Sequence, residues 1–281
     1  MNTVLTFMSD SVSGRAYAKI NLALRITGLI GDKHAIESLQ QSIDLYDEIT
    51  LTTRKDGAVT SDFSGDNSLV VLSALQRAFG LGGMHLSVKK HIPIGGGLGG
   101  SSADAAAAAK AAAELFGLDK TKVFAAVKDL FGDIAFQMTM GTALTSGTGS
   151  DVTPLAPLPR YHVLLVFPTA GVSTKEAYAL SDSYPHAVTD VQKVYRALAA
   201  GDSAQEHYVN DLIPAAEKLN GEIAPLLAAM QDPASLLTGM SGSGSTLFAL
   251  YKNKESAEKK AREIALPTLV TTTFSPLDLR K

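Results

Sequence analysis

Residues 93–116 read PIGGGLGGSSADAAAAAKAAAELF, a glycine-rich run that passes without a break into an alanine-rich one. Five of the six residues from Gly95 to Gly100 are glycine. Glycine takes positive φ at no steric cost and leaves no side chain in the way, so backbone N–H groups there can converge on an anion. Nine alanines between Ala103 and Ala113 favour a strong, slim helix that can pack closely against a sheet. The N-terminus of that helix adds unpaired N–H groups and a partial positive charge, and Ser101 and Ser102 add hydroxyls. Ser101 with Asp104 fits a capping box. The stretch reads as a phosphate-holding loop that opens a helix.

The type of loop follows by comparison. Gly95, Gly97 and Gly100 satisfy G-x-G-x-x-G, but a dinucleotide loop follows an apolar strand directly. Here Lys89, Lys90, His91 and Pro93 come first, and no convincing strand-end acid follows about 20 residues on. A P-loop needs a lysine just before the Ser or Thr, and none precedes Ser101. A plain flexible turn is the bland alternative, and five glycines abutting a helix start disfavour it.

Outward from the loop, the chain mixes strands and helices without regular alternation, which indicates an α+β class. Ala18, Ile20, Leu22, Leu24 and Ile26 alternate with polar residues, the period of a half-buried strand. Lys19 and Asn21 then share its polar face. Ile43, Leu45, Ile49 and Leu51 give a second strand, and Leu86–Ile92 a third that Lys90 interrupts. Leu69, Leu72, Leu75 and Phe79 recur at helical spacing, with Gly80 as the C-cap. Thr145–Pro159, rich in Gly, Ser, Thr and Pro, reads as a hinge between lobes 1–155 and 156–281. Beyond it, Val163–Phe167, Ser245–Tyr251 and Leu269–Phe274 read as strands. Helical patterns cover 188–200, 206–219, 222–231 and 254–265. Residues 1–14 read as a loose leader.

Composition narrows the function. The chain has 281 residues, with 25 Lys+Arg against 28 Asp+Glu, for a formal net charge of −3. No basic excess supports a nucleic-acid coat. There is no cysteine, so disulfides, thiolate metal sites and a thiol nucleophile are excluded. No apolar run approaches the roughly 20 residues that span a bilayer, and Met1–Gly14 do not read as a signal peptide, so the expectation is a cytoplasmic chain with no membrane partner. Its monomeric or homodimeric state is left open.

Three ordered blocks resemble the GHMP kinase superfamily of small-molecule kinases: AYAKINLAL (16–24), the loop from Pro93 to Ala106, and GMSGSGSTLFALY (239–251). Within it, HAIESLQQSIDLYDEITL, GDIAFQMTMGTA, GVSTKEAYAL and Asn210-Asp211-Leu212 look most like the branch that phosphorylates a CDP-linked methylerythritol. The resemblance covers about residues 15–251. It implies a lobe like ribosomal protein S5 domain 2 followed by a ferredoxin-like lobe. It also implies ATP-dependent transfer of phosphate to the 2-hydroxyl of the alcohol, with Mg2+ as cofactor.

By the same resemblance, Lys19 and Asp133 are the catalytic pair. Phosphoryl transfer needs an alcohol held in line with the γ-phosphate and cations to spread the charge. Asp133 can accept or orient the hydroxyl proton, and Lys19 can touch the γ-phosphate. ATP falls to Pro93, Gly95, Gly96, Gly97, Leu98, Gly99, Gly100, Ser101 and Ser102, with Asn67 near the adenine. The substrate falls to Asn21, His34, Thr174 and Tyr178, with His34 matching the family's cytosine-reading histidine. Ser101 or Ser102 is the candidate metal contact, since no carboxylate cage can be read. Gly242 and Gly244 let the third block approach the phosphate loop. The chain departs from the family at Asp32-Lys33-His34, where Gly-Tyr-His is usual, and at Ala135, where the family has proline. Lys33 cannot stack on a pyrimidine as tyrosine does, which leaves Tyr178 to cover one face. A kinase for another small alcohol (homoserine or a mevalonate derivative) and a non-catalytic nucleotide-binding relative are the competing readings.

Overall fold

A computed structural model describes residues 10–63 and 67–280. Two long strands open it, β1 (Ser11–Ile30) and β2 (Lys33–Arg54), paired antiparallel along most of their length. There follow β3 (Val59–Ser61), α1 (Ser68–Phe79), β4 (Gly83–Lys89), α2 (Gly100–Leu115), α3 (Lys120–Val127) and α4 (Ile134–Thr139). The hairpin β5 (Thr142–Gly147) and β6 (Asp151–Pro154) completes a six-stranded sheet ordered β3-β4-β2-β5-β6, with β1 also on β2. In α2, 12 of 16 residues are buried, so the helix is enclosed by its neighbours rather than resting on them. Alanine makes this possible, because its small side chain lets the helix pack close to β1, α1 and α4.

The rest of the chain is β7 (His162–Val166), α5 (Thr174–Ser181), α6 (Gln192–Ala200), α7 (Ile213–Leu219), α8 (Ile223–Ala229), β8 (Ser235–Met240), β9 (Leu247–Tyr251), α9 (Lys254–Glu263) and β10 (Thr268–Thr272). Its four strands form an antiparallel sheet ordered β10-β7-β9-β8, the ferredoxin-like arrangement. The two sheets are joined by a shared apolar core that runs from Ile20 and Leu22 to Leu165 and Phe248. Tyr17 stacks on Phe274 with ring centroids 4.1 Å apart, and Phe274 N–H donates to the Ser42 carbonyl at 2.8 Å. Among the described residues no helix is long and apolar enough to cross a membrane.

Several local expectations are corrected. Met1–Ser9 of the supposed leader lie outside the described residues, but Ser11–Gly14 are strand, paired with Ile49–Thr52. Most of the supposed hinge is the β5–β6 hairpin. Gly147 (φ 64°) and Gly149 (φ 98°) turn it, and only residues 155–161 separate the two sheets. The helix expected over 206–219 is confined to Ile213–Leu219, after a short 3-10 turn at Gln205–His207. Asp211 instead bonds across the lobes to Ile26, and also to Ala187. Asp211 Oδ2 accepts from Ile26 N–H at 2.8 Å, and Asp211 Oδ1 from Ala187 N–H at 3.0 Å. The third strand runs from Gly83 to Lys89 rather than to Ile92, and α6 begins at Gln192.

Candidate active site

The residues from Ile92 to Gly99 lie in the loop between β4 and α2. Gly95, Gly97 and Gly99 all have φ between 70° and 75°, a left-handed conformation that glycine tolerates and other residues resist. Among the described residues, no N–H of Gly95, Gly97, Leu98 or Gly99 donates to a protein acceptor. Those free donors sit beside the N-terminus of α2, where a phosphate would complete them. Leu98, by contrast, is buried and anchors the loop to the core, with its carbonyl accepting from Lys19 N–H at 3.0 Å.

The third block lies directly on this loop. Ser241 Oγ donates to the Gly97 carbonyl at 2.9 Å, and Thr246 N–H donates to the Gly96 carbonyl at 3.2 Å. A Cβ on Gly97 would fall 2.2 Å from the Ser241 carbonyl oxygen, so two backbones meet here at a distance only glycine permits. Gly242 and Gly244 also have positive φ, and Asn210 Nδ2 holds the turn by donating to the Met240 and Gly242 carbonyls at 2.9 Å.

Lys19 projects from β1 into the same space. The register of β1 on β2 shifts between Tyr17 and Lys19, a bulge of the kind that re-aims side chains. Lys19 is nearly fully buried; its Nζ donates to Asn21 Oδ1 at 2.5 Å and lies 3.4 Å from Asp133 Oδ2. Asp133 stands at the N-cap of α4 but makes no capping bond, so its carboxylate faces the cleft. Its other oxygen, Oδ1, accepts from Gln40 Nε2 at 3.1 Å. The structure therefore brings Lys19, Asn21 and Asp133 together, as the sequence implied, and adds Gln40.

A second network lies beneath the loop. Lys90 Nζ sits between two fully buried carboxylates, 2.5 Å from Asp47 Oδ2 and 2.6 Å from Asp104 Oδ2. Asp47 Oδ1 also accepts from Ile92 N–H at 2.7 Å, which fixes where the strand ends and the loop begins. The capping box is thus corrected: Gly99 is the N-cap, no side chain caps α2, and Asp104 is engaged by Lys90. Ser101 Oγ instead accepts from Asn67 N–H at 3.0 Å. Burial acts to lower the pKa of Lys90, but bonds and charge from Asp104 and Asp47 outweigh it, so the net shift is upward. Burial raises the Asp104 carboxyl to about 7, against the pull of Lys90.

Two clefts meet at Asp133. One, of about 640 Å³, contains Pro93, the glycine loop, Lys19 and Lys90. The other, of about 760 Å³, contains Lys33, His34, Asn67 and Asp182; Ser102, Asp133, Thr174 and Tyr178 line both. Asn67 touches the loop through Ser101 yet faces the second cleft. His34 Nε2 is bonded to Asp182 Oδ1 at 2.8 Å, and its ring lies 5.1 Å from that of Tyr178. Burial, followed by the Asp133 charge, pushes the Tyr178 phenol up, so it stays neutral. Thr174 Oγ1 is 2.8 Å from Ser243 Oγ, which ties α5 to the third block. Among the described residues no cluster of three His, Cys, Asp or Glu could hold a metal ion. The Ser101 and Ser102 hydroxyls line the same cleft as the glycine loop.

The sequence did not mark out Gln40, Asp47 or Asp182, and it marked Asp104 only as a capping partner. A signal existed for Asp47. Asp47 interrupts an apolar alternation, and Lys90, which it binds, was the residue that broke the next one.

Comparison with known proteins agrees with this geometry. The model of the GHMP kinases N terminal domain matches residues 67–154, and that of the GHMP kinases C terminal domain matches residues 194–266. A protein of Desulfitobacterium hafniense named 4-diphosphocytidyl-2-C-methyl-D-erythritol kinase is 40% identical over 262 residues, covering 88% of this chain and 89% of its own. A protein of the same name from Pelotomaculum thermopropionicum is 34% identical, covering 94% and 99%. A crystal structure of 4-(cytidine 5'-diphospho)-2C-methyl-D-erythritol kinase superposes with a TM-score of 0.79 at 26% identity, over 94% of this chain and 100% of that one. Homoserine kinase from Cytophaga hutchinsonii, at 19% identity and a TM-score of 0.67 over 97% of each chain, shares the fold.

Proposed function

The chain belongs to the GHMP kinase family, and on that footing we propose that it transfers the γ-phosphoryl group of ATP to the 2-hydroxyl of 4-(cytidine 5'-diphospho)-2-C-methyl-D-erythritol, an isoprenoid-precursor step. One observation carries the reading: the Lys19–Asp133 pair stands where the two clefts join, with free backbone donors on one side and the His34–Tyr178 pair on the other.

The chemistry follows from that placement. The N–H groups of Gly95–Gly100 and the start of α2 receive the phosphates of ATP, whose charge compensates the unpaired donors. Lys19, held by Asn21, supplies a positive charge close to where the γ-phosphate is transferred. Asp133 accepts the hydroxyl proton of the alcohol, or orients that hydroxyl, as it attacks. Lys19 beside it balances the carboxylate charge. Mg2+ bound with ATP would neutralise phosphate charge, and Ser101 and Ser102 would be its side-chain contacts. His34 and Tyr178 offer a ring edge and a ring face to the cytosine, with Lys33 at the cleft's rim. Thr174 lies between the two clefts, next to Ser243.

The test is ADP release with ATP and a panel of alcohols. Turnover of the CDP-linked alcohol, and not of homoserine or mevalonate, supports the reading. Turnover of either of the latter alone overturns the substrate, and ATP binding without transfer to any alcohol overturns the kinase.

A further inference from the structure

Gln40 lines the glycine-loop cleft but not the His34 cleft, and it holds the carboxylate at their junction. It lies in the middle of β2, its backbone paired with Asn21 of β1 on one side and Ala143 of β5 on the other, so it is held rigidly. The side chain is 1% exposed. Its Nε2 donates to Asp133 Oδ1 at 3.1 Å and more weakly to Thr145 Oγ1 at 3.4 Å, and its Oε1 has no partner among the described residues. These contacts fix the orientation of the amide, because a flipped amide would set Oε1 against the Asp133 carboxylate.

Gln40 and Lys19 are the only protein groups bonded or ion-paired to the Asp133 carboxylate among the described residues, one at each oxygen. The terminal torsion of an aspartate is broad, so a carboxylate pinned at one end alone turns freely. Pinned at both, it keeps one orientation, and its remaining lone pairs point in fixed directions. We propose that Gln40 is a positioning residue for phosphoryl transfer. By donating to Asp133 Oδ1 it sets the plane of the carboxylate that receives the acceptor hydroxyl, which keeps that hydroxyl in line with the γ-phosphate. The inference rests on the kinase reading above. It assigns Gln40 no contact with either substrate, so its loss should act on turnover rather than on binding.

The experiment is steady-state kinetics of the full chain with ATP and the CDP-linked alcohol, for wild type, Gln40→Met and Gln40→Glu. Gln40→Met keeps the volume and removes the donor. Its kcat should fall roughly tenfold, the scale of a lost hydrogen bond to a charged group. KM for both substrates should stay within about twofold, as the contact reaches the reaction only through Asp133. Gln40→Glu tests donation itself. An ionised carboxyl cannot donate to Asp133, whereas a protonated one can, so this variant should regain activity relative to wild type as pH is lowered. An unchanged kcat in Gln40→Met, a rise in KM without a fall in kcat, or a Gln40→Glu profile parallel to wild type overturns the inference. Failure of wild type to turn over the alcohol overturns the functional reading and this inference with it; the wild-type control separates that outcome from the others.

Discussion

Replacing Gly97 by alanine tests the contact on which the phosphate loop depends. Two costs combine. Gly97 has φ 75°, and an L-residue held there loses about 1–2 kcal/mol. Its Cβ would also lie 2.2 Å from the Ser241 carbonyl oxygen and 3.0 Å from that of Gly244, where 3.4 Å is ordinary contact. The loops must part by more than 1 Å, which strains packing by about 1–3 kcal/mol. Parting them also weakens two hydrogen bonds, Ser241 Oγ to Gly97 and Thr246 N–H to Gly96, worth about 1 kcal/mol each. The total is roughly 4–7 kcal/mol. Gly95→Ala is the matched control, since Gly95 has φ 73° but nothing within 4 Å of its Cβ. It incurs the backbone cost alone. At about 2 °C per kcal/mol for a chain of this size, Gly97→Ala should melt roughly 6–10 °C below Gly95→Ala in a calorimetric scan. Equal melting temperatures for the two variants would refute docking of the third block on the loop.

Other perturbations probe the remaining contacts. Asp182→Ala releases His34 Nε2 and should raise KM for the CDP-linked alcohol several-fold, with kcat and KM for ATP little changed; a fall in kcat alone would contradict the assignment of that cleft. Asp104 makes stability depend on pH. Its folded carboxyl titrates at about 7, above the ordinary 3.8, so between these values the native state binds more protons than the unfolded state. Stability from this group is therefore highest at low pH and declines as pH rises from about 4 to 7. Asp104→Asn lacks that slope, so its melting temperature should gain on wild type between pH 5 and pH 8 in paired melting curves. A constant difference would show that Asp104 stays ionised throughout.

The sequence revealed most where the local pattern and the final environment agree. The period-two run around Lys19 is strand, the alanine run is a buried helix, and the glycine loop joins β4 to that helix. It misled where a residue's partner lies far along the chain. Ser101 and Asp104 have capping-box spacing, but Asp104 is taken by Lys90, which Asp47 shares from 43 residues upstream of it. Asn210 and Asp211 fall within a helical pattern, yet their side chains satisfy backbone groups of Ile26, Met240 and Gly242, and the helix begins only after them. The Thr145–Pro159 stretch has linker composition, and its glycines turn out to shape a hairpin. Gln40 carried no signal. A polar residue in a strand reads as a solvent-facing position, and only the folded sheet places it on Asp133.

The measurement that bears most directly on the central claim is transfer itself. The chain is incubated with ATP labelled at the γ-phosphate and 4-(cytidine 5'-diphospho)-2-C-methyl-D-erythritol, and the labelled product is located by phosphorus NMR, alongside Asp133→Asn and Lys19→Met. Label is expected on the 2-oxygen with wild type and a rate lowered by at least about 100-fold in both variants, with ATP binding retained in Asp133→Asn. Wild-type rates in Asp133→Asn, or label on any other oxygen, would contradict it.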